Sequence, residues 1–278
     1  MPGSKSDLPT PAEELKALVS AAKETGREIM PLFKDCALKV WEKGDRSPVT
    51  EADLRANNVL REILLSGIRE DYGWLSEESA DDPDRLAKAR TLIIDPIDGT
   101  RAFLRGDDRF TVCLAITEGE RALASVIYAP ARGELYAASA GGGATLNGAS
   151  LASSKAEDIE GAKMLAYARM FDHPAWPQPW PPMQVDYTNS TSYRIALVAA
   201  GQYDAAIALA KKADWDVAPG ALIAEEAGAA IGDHLGRPFV FGQEIPSQPG
   251  LVCAASSLYP RLLGRLSHLP DNLDQLRV

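Results

Sequence analysis

The segment Asp95-Pro96-Ile97-Asp98-Gly99-Thr100 constrains this chain more than any other stretch. It follows the short apolar run Arg90–Ile94, which reads as a buried strand delivering an acid at its C-terminal end. Pro96 cannot continue a hydrogen-bonded ladder, so the chain must turn there. Two carboxylates three residues apart on one turn can face a common point, and an oxygen-rich site of that kind suits magnesium or manganese better than zinc. Gly99 lets backbone approach a ligand, and Thr100 can open a helix whose free N–H groups favour an anion. Metal carboxylates beside such a helix start are what phosphoryl transfer to water needs. Alone, however, an Asp-x-x-Asp reads first as a turn with acidic caps.

Three further segments change that reading. Trp74-Leu75-Ser76-Glu77-Glu78-Ser79 places two acids directly after a strand. Ala213-Asp214-Trp215-Asp216-Val217-Ala218-Pro219-Gly220 places acids before a helix expected over 219–227, and Ser47-Pro48-Val49-Thr50-Glu51-Ala52-Asp53 supplies another at a helix start. Around them, helical spacing predicts helices over 11–33, 51–67, 192–201 and from Tyr259 to about His268. Strands are expected at 38–41, 72–76, 90–94, 110–117, 122–128, 134–138, 163–167, 205–208 and 250–255. Asn147-Gly148 is a tight hairpin turn. Mixed helices and strands in this order imply a layered α+β architecture, with a polar disordered tail at 1–11 and a boundary near 150–160. The N-terminal half is then 12–155 and the C-terminal half 156–278.

Composition narrows the partners. The chain has 278 residues, 46% apolar and 24% charged, with a net charge of −10. An acidic chain without a basic cluster argues against a nucleic-acid polymer, and no apolar run approaches the roughly 20 residues of a membrane span. A cytoplasmic location is the default expectation. Cys36, Cys113 and Cys253 show no CxxC spacing and are expected to be buried free thiols; His173, His234 and His268 are expected at the surface or in turns. Gly141-Gly142-Gly143 lacks the Lys-Ser/Thr of a P-loop and is structural. The Trp/Pro-rich stretch 173–182 reads as an ordered surface loop.

Taken together, the Glu-Glu-Ser, Asp-Pro-Ile-Asp-Gly-Thr and Trp-Asp-Val-Ala segments, in that order, resemble the inositol monophosphatase superfamily over roughly residues 12–270. The resemblance implies an αβαβα sandwich shared with fructose-1,6-bisphosphatase, a homodimer, and a Mg²⁺-dependent, lithium-sensitive phosphate monoesterase using two or three ions, with Mn²⁺ as a substitute. Carried over by position, Glu77, Asp95 and the carbonyl of Ile97 bind one ion, and Asp95, Asp98 and Asp216 a second. Thr100 and Asp53 orient the attacking water, the N–H groups of Gly99 and Thr100 hold phosphate, and Lys43 stands near it. Glu78 supports the ligands from behind.

The substrate is less constrained. Phe110–Ile116, Val126–Pro130 and Ser192–Ala199 resemble the bacterial 3′(2′),5′-bisphosphate nucleotidase branch, which carries a basic residue where Arg194 stands. Arg suits a second substrate phosphate, as in 3′-phosphoadenosine 5′-phosphate. Inositol monophosphatases place an acid before the Trp-Asp motif; the matching stretch here, Ala205–Leu209, has none. Inositol 1-phosphate, histidinol phosphate and sugar phosphates such as fructose 1,6-bisphosphate remain alternatives. A non-catalytic phosphate-binding protein on the same fold would be expected to have lost one of these acids or the Thr–Asp pair.

Overall fold

The computed structural model describes residues 8–44, 46–174 and 176–273. Helix α1 (Pro11–Ile29) starts where Thr10 and Glu13 cap it reciprocally, Glu13 N donating to Thr10 Oγ1 and Thr10 N to Glu13 Oε2. A short hairpin, β1 (Val40–Glu42) and β2 (Pro48–Thr50), leads into α2 (Glu51–Leu64). A seven-stranded sheet then forms in chain order from β3 (Gly73–Ser76), β4 (Arg90–Asp98), β5 (Thr111–Glu118), β6 (Arg121–Ala129), β7 (Glu134–Ser139), β8 (Gly143–Leu146) and β9 (Ala149–Ser150). Only the first pair is parallel. The short helix α3 (Thr100–Leu104) lies between β4 and β5.

The second sheet has the order β11-β10-β12-β16-β14, with β10 (Lys163–Leu165), β11 (Gln184–Asp186), β12 (Ala205–Ala208), β14 (Ala229–Gly232) and β16 (Leu251–Ala255). Strands β13 (Lys212–Ala213) and β15 (Ser247–Gln248) pair separately. Helices α4 (Thr191–Ala199) and α5 (Asp214–Glu226) lie between the sheets, and α6 (Tyr259–Leu266) covers the far side.

The layering follows from the two-residue period of the strands. Along β4, Leu92 and Ile94 face Leu18 of α1 and Leu60 of α2. Ile93 faces the other way, into a cluster with Ile195 of α4, Ile223 of α5 and Cys253 of β16. Beyond the second sheet, Ile207 and Val252 pack on Leu258, Leu262 and Leu266. The result is five layers, αβαβα, as expected. Fully burying each such aliphatic side chain contributes roughly 1.5–3 kcal/mol.

Several boundaries differ from the expectations. Helix α5 begins at Asp214 rather than Pro219. Pro219 therefore lies inside the helix, where it removes the N–H that would bond Trp215 O, which is why a proline at this place read as a helix start. The short strands β2, β8, β9, β11, β13, β14 and β15 were not expected; strands of two to four residues carry little periodicity. The tail expected at 1–11 falls mostly outside the described residues. Of its last residues, Pro9 O accepts from Arg90 Nη1, Thr10 caps α1 and Pro11 begins it. Cys36 is exposed, whereas Cys113 and Cys253 are buried. His234 is buried too, its Nε2 against Pro270 O at 3.0 Å.

Candidate active site

The two acids of the central segment meet because β4 carries a bulge. Asp95 pairs with Cys113 and Asp98 with Thr111, so Pro96 and Ile97 stand opposite the single residue Val112. In a regular strand, residues three apart point to opposite faces; one extra residue returns them to the same face. Pro96, which has no N–H to give the ladder, stands within this irregularity. Gly99 follows with φ of 99°, a conformation that favours glycine, and α3 opens at Thr100.

Asp98 is then fixed at the start of α4. Its Oδ2 accepts from Ser190 Oγ and Ser192 N, both at 2.8 Å, and its Oδ1 accepts from Thr191 N at 3.2 Å. Asp216 sits in the first turn of α5, where its Oδ2 accepts from Ala213 N at 3.2 Å. Asp95, Asp98 and Asp216 each offer an oxygen within 4.8 Å of the others. Two of the three acids are therefore held at helix N-termini, whose dipoles favour negative charge.

These carboxylates repel one another. Burial, then Glu77, Asp98, Asp216 and Asp53, push the Asp95 carboxyl well above the usual range. Burial and Asp216 raise Asp98 to about 7, and burial raises Asp216. Asp95 Oδ1 is buried with no hydrogen-bond partner. A buried, unpartnered anionic oxygen among other carboxylates fits a hard divalent cation held by oxygen. The residues present thus suit a metal.

Asp53 stands behind Thr100. Thr100 Oγ1 lies 3.1 Å from Asp53 Oδ1 and 3.2 Å from Ile97 O, and its single proton can serve one of them at a time. Asp53 also caps α2, accepting from Thr50 N at 2.8 Å and Thr50 Oγ1 at 2.5 Å. Burial raises its carboxyl to about 6 against these hydrogen bonds. Glu77 and Glu78 both bind Lys43 Nζ, at 2.8 and 2.7 Å. Burial lifts Glu78 to about 7; burial opposes the Lys43 charge, but Glu77 and Glu78 outweigh it and hold the ammonium protonated.

A cavity of about 240 Å³ opens over this cluster. Glu77, Asp95, Ile97, Asp98, Gly99, Thr100, Arg194 and Asp216 line it. Lys43 and Glu78 do not; they form the ion pair beside Glu77. Arg194 is buried on α4 rather than solvated, with Nε 3.4 Å from Ser190 O and Nη2 3.1 Å from Thr191 Oγ1. Burial lowers its pKa from a very high starting value, so it stays charged. Four lining residues escaped the sequence reading: Arg101, Tyr187, Asn189 and Lys212. Lys212 had a cue in the pair Lys211-Lys212 just before the Trp-Asp motif. Tyr187 and Asn189 had none, being brought in by the short edge strand β11.

The fold and this acidic cleft define a class, that of metal-assisted phosphatases with paired sheets. Residues 11–270 match the Inositol monophosphatase family, and the chain belongs to it. It is 31% identical over 261 residues to a histidinol-phosphatase of Chlorobaculum parvum, covering 92% of this chain and 97% of that one. It is 32% identical over 227 residues to an inositol-1-monophosphatase of Rhizobium meliloti, covering 77% and 83%. Among solved structures, extragenic suppressor protein SuhB of Bartonella henselae superposes with a TM-score of 0.78 at 25% identity, over 92% of this chain and 99% of that one. A staphylococcal inositol monophosphatase-1 in a LiCl-soaked inhibitory complex shares the fold, with a TM-score of 0.81 at 20% identity over 94% and 97%. The protein is a phosphate monoester hydrolase of this family.

Proposed function

We propose that the chain is a Mg²⁺-dependent 3′(2′),5′-bisphosphate nucleotidase, removing the 3′-phosphate of 3′-phosphoadenosine 5′-phosphate. The observation that carries this reading is Arg194, a buried guanidinium lining the same cavity as Asp95, Asp98 and Asp216. Only two of its five donors are engaged by hydrogen bonds among the described residues. Arg101 and Lys212 line the cavity as well. Cations in excess of what one scissile phosphate requires favour a substrate with a second anionic group.

In this reading Glu77, Asp95, the Ile97 carbonyl, Asp98 and Asp216 hold two or three Mg²⁺ ions, with Mn²⁺ as a substitute. Bound Mg²⁺ lowers the pKa of water and offsets charge on the phosphoryl oxygens. The chain's own groups do the rest. Asp53 accepts the Thr100 hydroxyl proton, which leaves the Thr100 lone pairs to accept from, and so aim, the attacking water. The N–H groups of Gly99 and Thr100 steady phosphate oxygens, and Arg194 takes the 5′-phosphate. Lys43 holds Glu77 and Glu78 in place through its two ion pairs. A homodimer accompanies this reading on the family resemblance, and a cytoplasmic location as the default expectation.

Purified protein with Mg²⁺ is to be tested on adenosine 3′,5′-bisphosphate, 3′-AMP, L-histidinol phosphate, inositol 1-phosphate and fructose 1,6-bisphosphate. The expected order puts the bisphosphate nucleotide first. Arg194→Met should lower its kcat/KM by roughly 10- to 100-fold, the worth of a charged hydrogen bond, with a smaller effect on 3′-AMP. Inositol 1-phosphate outrunning the nucleotide rejects the substrate. The 31% relative named histidinol-phosphatase makes histidinol phosphate the second reading.

A further inference from the structure

Tyr187 lines the cavity and forms an aromatic pair with Tyr167 that the phosphatase reading leaves without a role. Tyr167 and Tyr187 are exposed by 58% and 45%. Their rings stand edge to face, with centroids 6.4 Å apart and planes at 75°. Neither position is an accident of loop geometry. Strands β10 and β11 run parallel, with Leu165 opposite Asp186, so Tyr167 and Tyr187 leave the carboxyl ends of neighbouring parallel strands. That edge is where open α/β sheets receive ligands.

The Tyr187 ring is held from within the protein. The Arg194 guanidinium carbon lies 5.3 Å from its centroid. Its backbone is pinned next to Asp186, whose Oδ2 accepts from Tyr203 OH at 2.7 Å and whose carbonyl accepts from Ala166 N at 3.0 Å. An exposed aromatic ring normally costs free energy in water. Here one is oriented by a buried cation, braced by a second ring, and set on the wall of a cavity whose floor is the acidic cluster.

We propose that Tyr187, backed by Arg194 and braced by Tyr167, is a stacking platform for a planar aromatic ring in the leaving group of the phosphomonoester. The proposal rests on the phosphatase reading above and sharpens its substrate class. Two sources share this chemistry, a nucleobase and the imidazole of histidinol phosphate. A ring stacked on the face of Tyr187 away from Arg194 keeps an anion on the same leaving group beside the cavity that Arg194 lines, while the scissile phosphate meets the carboxylate cluster. A cyclitol or an open-chain sugar has no π face to offer.

The test pairs each ring-bearing substrate with a ring-free partner. One pair is 2′-deoxyadenosine 3′,5′-bisphosphate and abasic 1,2-dideoxyribose 3,5-bisphosphate; the other is L-histidinol phosphate and phosphoethanolamine. The wild-type protein should prefer the ring-bearing member of at least one pair. Tyr187→Leu keeps apolar volume over Arg194 but removes the π face. It should lower the kcat/KM ratio within that pair by roughly 10- to 100-fold, mostly through KM, as loss of a base–aromatic stack does. Tyr187→Phe should hold the ratio within about threefold, and Tyr167→Ala should give an intermediate loss. Preference in the first pair assigns the ring as a nucleobase, preference in the second as an imidazole. Hydrolysis of histidinol phosphate but of neither bisphosphate rejects the nucleotidase and leaves the platform to be decided on the second pair. A wild-type protein indifferent to the ring in both pairs, or a Tyr187→Leu ratio equal to wild type, overturns the platform itself.

Discussion

Replacing Asp95 by Asn should stabilise the metal-free protein while destroying its activity. Asp95 is fully buried, one of its oxygens has no partner, and Glu77, Asp98 and Asp216 surround it with like charge. Its folded pKa is raised above the unfolded value of 3.8. Between those two values the folded state holds more protons than the unfolded state, so stability falls as pH rises. The limiting slope is about 1.4 kcal/mol per pH unit for one group. Asn cannot ionise, and its NH₂ group can donate to the neighbouring carboxylates, so the variant escapes this term. Between about pH 5.5 and 7.5 the ceiling on the widening gap is about 2.7 kcal/mol; relaxation of Asp98 and Asp216 toward lower pKa values reduces it to roughly 1–2 kcal/mol. For a chain of this size that corresponds to about 2–4 °C in Tm. Urea unfolding of EDTA-treated wild-type and variant protein at the two pH values measures it. In saturating Mg²⁺ the order should reverse, because a ligand at a hundred times its Kd stabilises the wild type by about 2.7 kcal/mol and the variant binds it poorly. Turnover should fall by at least about a hundredfold. A metal-free Asp95→Asn protein less stable than wild type at the higher pH, or a gap indifferent to pH, refutes the account of the cluster as an anionic cage awaiting cations.

Other outcomes follow from the same geometry. Thr100→Val removes the hydroxyl between Asp53 and Ile97 O and should reduce kcat by about 10²-fold with little change in KM; steady-state kinetics decide, and a KM effect alone would point to substrate binding instead. Glu14→Gln breaks a buried network in which the carboxylate accepts from Tyr72 OH, Arg69 Nε and Arg90 Nη1 at 2.5–2.8 Å. It should cost about 3–5 kcal/mol by urea unfolding and leave kcat near wild type; a loss below about 1 kcal/mol would mean the ion pairs are dispensable. Lithium should inhibit at elevated Mg²⁺, read from initial rates over a LiCl series, and complete insensitivity would argue against metal sites of the proposed composition.

The legible part of this molecule was its long periodic elements and its acidic turns. Helical spacing from residue 11 announced α1, and the run into Asp95 announced β4, because periodicity and apolar strands are local properties of sequence. The bulge at Pro96-Ile97 was only half legible: proline forbade a regular ladder, yet which face Asp98 would take depended on pairing with Thr111 and Cys113. The burial of Glu14 in the first turn of α1 was not legible, since its partners Arg69, Tyr72 and Arg90 lie more than fifty residues away. Arg194 had no local mark separating a solvated helix position from one turned onto Tyr187. Contacts between the C-terminal ends of β10 and β11 are set by strand order, which single-residue patterns do not encode.

An acidic protein that hydrolyses phosphate esters must resolve a contradiction of sign, and the cleft does so by position. Asp95, Asp98 and Asp216 occupy the floor, where burial sharpens their mutual repulsion and makes cation binding the strongest relief available. Two of them hang from the N-termini of α4 and α5, so the sandwich's middle layer offsets part of the cost of assembling them. The protein's own cations stand off the floor. Lys43 is tied to Glu77 and Glu78, while Arg101, Arg194 and Lys212 take the walls. Moving Arg194 to the floor would satisfy Asp98 and Asp216 permanently and weaken the demand for metal. Kept 5.3 Å from the Tyr187 ring instead, it retains charge for the substrate. Arg194→Lys tests this separation: a compact ammonium cannot both stack on Tyr187 and bond Ser190 and Thr191, so substrate KM should rise several-fold while Mg²⁺ activation is unchanged. A shift in the Mg²⁺ requirement would instead place Arg194 in charge balance of the acidic floor.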